Sequence, residues 1–233
     1  MAAAVLRDVL RVTASLEVVD ALVVESLGYS TLQAGPEHRE WLASRQPREQ
    51  LRVADPVLVS RDDDVLTIRL NRPERRNAID AATRDALLDA FAIADADPGL
   101  AVVLSGVGPA FCAGGDLDEF GTVSDPASGH LIRTTRSLAA AIHRLRDRTT
   151  VHVHGGCAGA GVELPAFAGH VVADAATTFL LPELAMGLIP GAGGTVSLPR
   201  RIGSRRTAEL ALSGEPIDAA TALDWGLIDE ITR

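Results

Sequence analysis

Residues 151–164 read Val-His-Val-His-Gly-Gly-Cys-Ala-Gly-Ala-Gly-Val-Glu-Leu, and the reading of this stretch decides the fold. Val151–Val153 is a strand-like run. The glycine-rich turn from Gly155 to Gly161 follows, and the residues around Glu163 open a helix. A strand, a sharp turn and a helix make one unit of an α/β domain with crossover connections. The same grammar recurs upstream, where the buried-strand run Ala101–Ser105 leads into a second glycine-rich turn, GVGPAFCAGGD, at residues 106–116. Val171–Ala173 reads as a further strand. Val57–Val59 and Val65–Leu70 are strand-like runs on either side of the turn at 61–64. Between the strands lie two helical patterns. Asp80 caps a helix to about Ala94 with Leu87, Leu88 and Phe91 on one face, and Leu138, Ala141, Ile142 and Leu145 recur at helical spacing. No fixed-period repeat is visible.

Upstream of residue 57 the texture is helical. Leu16, Val19, Val23 and Leu27 form an apolar stripe, Gly35-Pro36 breaks it, and residues 37–45 suit a second helix. Residues 46–56 are polar with two prolines and read as a linker, so residues 1–54 form a helical appendage and 57–233 the α/β core. Arg7, Asp8 and Arg11 interrupt the apolar N-terminus, which argues for a helix and against a signal peptide.

Composition narrows the function. The chain has 233 residues, 47% hydrophobic but only 3% aromatic, so Ala, Val and Leu build the core. A net charge of −9 argues against a nucleic-acid partner, because phosphate binding needs a basic surface. No apolar run reaches the ~18 residues of a membrane span, and a cytoplasmic protein is expected. The two cysteines, Cys112 and Cys157, sit among Gly and Ala and read as buried thiols, not a disulfide framework.

Small residues in the two turns allow a ligand to approach the backbone closely. Free N–H groups at a helix start carry the positive end of its dipole. Two such turns suit an oxygen that gains negative charge during reaction; equally, the glycines serve sharp turns alone. A phosphate loop is disfavoured, since no Gly-Lys-Ser/Thr follows either turn. Glu163 and Glu183 both lie in apolar surroundings, where burial raises a carboxyl's pKa toward neutrality and equips it for proton transfer. The alternative for each is a capping or exposed glutamate.

Four stretches, NRPERRNAID (71–80), PAFCAGGDL (109–117), HGGCAGAGVEL (154–164) and FLLPELAMGLIPGAGGTVSLPRRIG (179–203), occur in an order and spacing that resemble the enoyl-CoA hydratase/isomerase family, the crotonases. Residues 207–231 resemble the family's later part. The resemblance implies a crotonase-like spiral of ββα units. It implies an oxyanion hole from the N–H groups of Gly115 and Ala160, and Glu163 and Glu183 as the catalytic pair. It further implies that Arg75, Arg76, Ala78, Ala113, Gly114, Asp116 and Gly191 bind substrate. An acyl-CoA thioester is then the substrate, with CoA as part of it, no metal or other cofactor, and a homotrimer or dimer of trimers. Both glutamates together favour a hydratase, a lyase, over an isomerase, a thioester hydrolase or a non-catalytic acyl-CoA-binding relative. Two departures stand out: Ala160 replaces the middle glycine of the family's triplet, and His154 replaces an asparagine. The segment at residues 15–47 resembles the helical region that ends other family members. A circular permutation, with Trp41 and Arg45 over the acyl or CoA pocket, is one expectation; the other is an unrelated amphipathic extension that serves as an oligomer contact.

Overall fold

The computed structural model describes residues 1–46, 54–123 and 125–232. Three helices come first: α1 (Ala2–Thr13), α2 (Val18–Gln33) and α3 (Pro36–Ala43). The hairpin β1 (Val57–Asp62) and β2 (Val65–Leu70) turns through Asp63, whose φ of 48° is left-handed and tolerable for Asp. Then follow α4 (Ala81–Ala96), β3 (Ala101–Gly106), α5 (Pro126–Thr135), α6 (Leu138–Arg144), β4 (Thr149–Val153), β5 (Gly156–Ala158) and α7 (Ala160–Glu163). The chain continues through β6 (His170–Asp174), β7 (Thr178–Leu180), α8 (Gly194–Ser213), β8 (Ile217–Asp218), α9 (Ala219–Trp225) and β9 (Glu230–Thr232).

Six of these strands form one sheet in the order β1-β2-β3-β4-β6-β9, parallel at every junction after the β1–β2 hairpin. Parallel neighbours need crossovers, which is why helices separate the strands in sequence. Leu66, Ile68 and Leu70 point to the buried face of β2, and Leu66 and Ile68 pair in register with Val102 and Leu104 of β3. Leu87, Ala90 and Phe91 of α4 are buried with them; fully burying one such Leu or Phe side chain stabilises by about 1.5–3 kcal/mol. A smaller sheet, β5-β7-β8, stands beside the large one and carries the second glycine-rich turn.

The strands and helices expected between residues 57 and 173 are present, and Asp80 caps α4 by accepting from the Thr83 N–H at 2.7 Å. The helix expected at Glu163 is one turn long. Pro165 has no N–H to carry the ladder on, and the chain tightens into a 3₁₀ turn at Pro165–Phe167. Gly156–Ala158 pairs with β7 as a strand within what reads as a turn.

The N-terminal helices pack onto the core. Thr13 Oγ1 donates to the Thr195 carbonyl at 3.2 Å, and Ser30 Oγ to the Pro126 carbonyl at 2.9 Å. The apolar stripe of α2 faces outward: Val19 is 63%, Val23 37% and Leu27 52% exposed, while Val18, Ala21, Glu25, Tyr29 and Leu32 face the core. Residues 47–53 of the expected linker lie outside the described residues.

Candidate active site

The two glycine-rich turns meet at the mouth of the large sheet. The Ala158 N–H donates to the Cys112 carbonyl at 3.1 Å, and the Phe111 N–H to the His154 carbonyl at 2.9 Å. The approach admits no side chain at the contact: a Cβ on Gly161 would lie 2.0 Å from the Cys112 oxygen. The first turn is steadied from the other side. Ile79 N–H donates to Gly114 O and Asp116 N–H to Ile79 O, both at 2.8 Å. Between these bonds the Gly115 N–H is skipped. The Ala160 N–H, first in α7, has no helical partner either, so neither group meets a protein acceptor among the described residues. A Cβ built on Gly114 would sit 3.8 Å from the Ala160 nitrogen, which measures how closely the two donors' loops adjoin.

Both turns form a wall of one cavity of about 600 Å³, with Glu163, Glu183, Gly191, Tyr29, Trp41 and Phe120 also around it. Glu163 is only 2% exposed. Its Oε2 accepts from the N–H groups of Ala192 and Gly194, both at 2.8 Å, and Ser197 Oγ donates to its carbonyl at 2.8 Å. Glu183 is 7% exposed, and its Oε2 is buried without a hydrogen-bond partner among the described residues. A Cβ on Gly159 would lie 2.5 Å from Glu183 Oε1, so the second carboxyl rests directly against the Ala160 turn.

Burial disfavours the ionised form of both carboxyls. Desolvation pushes Glu183 from 4.5 up to about 8, with the charge of Glu25 adding to it. Desolvation also raises Glu163 well above the usual range. The charges of Glu183 and Glu25 act in the same direction, against the two N–H donors. The two acids thus sit at one cavity with their proton affinities raised by burial, Glu183 to about 8.

Of the residues singled out in the sequence, Glu163, Glu183, Gly115, Ala160, Ala113, Gly114, Asp116 and Gly191 all line this cavity. Asp116 faces elsewhere with its carboxylate, which pairs with Arg72 Nη2 at 2.9 Å and accepts from the Asp118 N–H at 3.1 Å. Arg75, Arg76 and Ala78 are not part of the wall. Arg75 pairs with Asp118 at 3.1 Å, Arg76 is an exposed residue with a left-handed φ of 49°, and Ala78 bonds within its own loop. Trp41 reaches the cavity, stacked on His38 at 5.4 Å and edge-on to Phe120 at 5.8 Å. Arg45 lies over Trp41 and pairs with Asp118 at 3.3 Å, outside the wall. His154 bonds the Gly108 carbonyl at 2.9 Å as a turn residue, and both cysteines are buried thiols.

The sequence reading missed three groups. Glu25 and Tyr29 lie on the inward face of α2, a helix with apolar residues on nearly every side. Arg72 is buried under the first turn, bridging Asp80 at 3.1 Å and Asp116. An acid inside an apolar helix was the available signal for Glu25. Among the described residues no group of three or more His, Cys, Asp or Glu is arranged to hold a metal ion, and no helix is long and apolar enough to cross a membrane.

Paired backbone donors beside two buried carboxyls form an arrangement that is chemically able to stabilise a developing oxyanion and to move protons at a neighbouring atom. The model of the family described as enoyl-CoA hydratase/isomerase matches residues 60–233, and the chain belongs to that family. It is 36% identical over 172 residues to a mevalonyl-coenzyme A hydratase of Aspergillus fumigatus, covering 72% of this chain and 63% of that one. It is 36% identical over 176 residues to the 2,3-dehydroadipyl-CoA hydratase of Escherichia coli, covering 75% and 68%. The crystal structure of an enoyl-CoA hydratase from Thermoplasma volcanium superposes with a TM-score of 0.69 at 34% identity, over 76% of this chain and 71% of that one. The crotonase-like α/β fold expected from the sequence is the fold observed. The chain spans 63–68% of the length of the two hydratases matched by sequence.

Proposed function

We propose that this chain is an enoyl-CoA hydratase, a lyase that adds water to a 2-enoyl-CoA thioester. The observation that carries this is the convergence of two N–H groups, at Gly115 and Ala160, unpaired among the described residues, with two buried carboxyls on one cavity. The thioester oxygen sits between the two N–H groups. Glu183, ionised, takes a proton from water as the water oxygen bonds to C3. The π electrons move onto the thioester as an enolate, and the two donors stabilise its charge; losing one such donor typically costs about 3–4 kcal/mol. Glu163, protonated, delivers its proton to C2. Glu183 ends protonated and Glu163 ionised, and one proton exchange between them restores the start. Every charge and proton is accounted for by these groups, so the cycle calls for no metal or redox cofactor, and coenzyme A enters only as part of the substrate.

The names of the relatives support hydration of an acyl-CoA and leave the acyl group of this chain open. Exposed Arg76 and its neighbour Arg75, both outside the cavity wall, are the proposed contacts for CoA phosphates. The N-terminal helices are proposed to stand where other family members place their last helices. In support, residues before 60 fall outside the matched segment, yet α2 and α3 supply Tyr29 and Trp41 to the cavity. A cytoplasmic homotrimer or dimer of trimers completes the reading. The test is to offer the purified protein 2-enoyl-, 3-enoyl- and saturated acyl-CoA and analyse the products. A 3-hydroxyacyl-CoA from the 2-enoyl thioester alone supports the proposal. Double-bond migration, release of free CoA, or binding without turnover would replace it with an isomerase, a hydrolase or a non-catalytic binder.

A further inference from the structure

We propose that Glu25 is a positioning residue for Glu163, acting through the N–H groups that open helix α8. Four consecutive N–H groups alternate between two carboxylates. Ala192 and Gly194 donate to Glu163 Oε2 at 2.8 Å each, while Gly193 donates to Glu25 Oε1 at 2.7 Å and Thr195 to Glu25 Oε2 at 2.8 Å. Thr195 Oγ1 adds a third bond to Glu25 Oε2 at 2.7 Å. Gly193 makes the alternation possible, because its φ of 103° turns successive N–H groups to opposite sides before the helix begins. A Cβ there would meet the Phe167 ring at 2.4 Å.

Glu25 borders the cavity, and both its oxygens are engaged by these donors. Glu163 is held by Oε2 alone, and its Oε1 meets no donor among the described residues. The arrangement reads as a shared clamp. Glu25 fixes the odd-numbered donors, the even-numbered donors then fix Glu163, and the free oxygen of Glu163 is aimed by residues on a helix 168 positions away in the chain from Gly193. A glutamine at position 25 would set its own NH₂ against one of these N–H groups and release the strand of donors.

Glu25 also carries charge into the site. The groups facing it are Glu163 from α7, Glu183 from the turn after β7, Arg133 from α5 and Tyr29 from its own helix. Its negative charge is among the causes that raise both Glu163 and Glu183. Neutralising it eases ionisation of both.

This inference rests on the hydratase reading, and the experiment separates the two. Glu25→Gln and Glu25→Asp are purified as full chains, checked by thermal melting, and assayed with crotonyl-CoA across pH. Glu25→Gln is expected to lower kcat by about 10- to 100-fold, the scale of a displaced catalytic group, with KM little changed. Its pH–rate profile moves to lower pH, and Glu25→Asp, which keeps the charge, holds the wild-type profile. A ¹³C NMR titration of the Glu163 carboxyl in wild type and Glu25→Gln gives the same comparison without turnover. An inactive wild type would therefore sink the hydratase reading and leave this test standing, with the Glu163 titration expected at lower pH in the variant. A folded Glu25→Gln with wild-type kcat and profile overturns the proposal. So does one whose kcat falls while the profile and the Glu163 titration stay in place, since that is loss of packing alone.

Discussion

Replacing Glu183 with glutamine should make the protein more stable and less active, with the gain in stability growing as pH rises. The carboxyl is 7% exposed, and its Oε2 has no partner among the described residues, so ionising it in place strips hydration without return. Its proton affinity rises from 4.5 to about 8. A group raised in the folded state stabilises fully below its unfolded value, and that contribution is lost as pH climbs toward the folded one. The wild type therefore loses stability between pH 4.5 and about 8 on account of this side chain. Each unit is worth about 1.4 kcal/mol, which makes the total at pH 8 about 4 kcal/mol and the part already lost at pH 5 about 1 kcal/mol. Glutamine has no proton to lose and escapes this penalty. Urea melts at pH 5 and pH 8 read the difference directly. Wild type and Glu183→Gln should nearly coincide at pH 5, and the variant should be more stable by about 3–4 kcal/mol at pH 8. A gap that stays constant with pH would refute the argument, because it would mean Glu183 ionises at an ordinary value and is not a base held ready by burial.

Other outcomes follow from the same geometry. The rate kcat/KM should rise as pH rises through about 8, where Glu183 loses its proton. A profile flat through that region would contradict the assignment of Glu183 as the base. Gly159→Ala places a Cβ 2.5 Å from Glu183 Oε1 at a φ of +49°, and strain of about 1–3 kcal/mol should show in urea melts together with a fall in kcat. Trp41→Ala opens the part of the cavity wall that Trp41 and Phe120 form, Trp41 being stacked on His38. It should raise KM for crotonyl-CoA about tenfold with kcat changed far less, read by steady-state kinetics.

The α/β core was legible because its signals are local. Glycine turns between short apolar strands, a capping Asp80 and two helical patterns each declare themselves within a dozen residues. The catalytic candidates were legible because Glu163 and Glu183 stand alone in apolar text beside those turns. What escaped depends on distant partners. The exposure of Val19, Val23 and Leu27 reverses what an apolar stripe suggests, since α2 offers apolar residues on nearly all sides and periodicity selects no face. Its inward face is chosen by what Glu25 and Tyr29 meet: donors at the start of α8 and the backbone of Gly191, against which the tyrosine ring packs. Arg75 and Arg76 read as one basic pair, but the fold gives the first to Asp118 and the second to solvent. Nothing adjacent in sequence distinguishes them.

The account stands on two carboxyls and two N–H groups working on one enolate. It is tested most directly by crotonyl-CoA in D₂O with wild type, Glu163→Gln and Glu183→Gln, the product read by NMR. The expected result is a 3-hydroxybutyryl-CoA bearing one deuterium at C2 from the wild type, and its formation slowed by at least about 10²-fold in each variant. Hydration at the wild-type rate in either variant, or no hydration by a wild type that still binds the thioester, would contradict it.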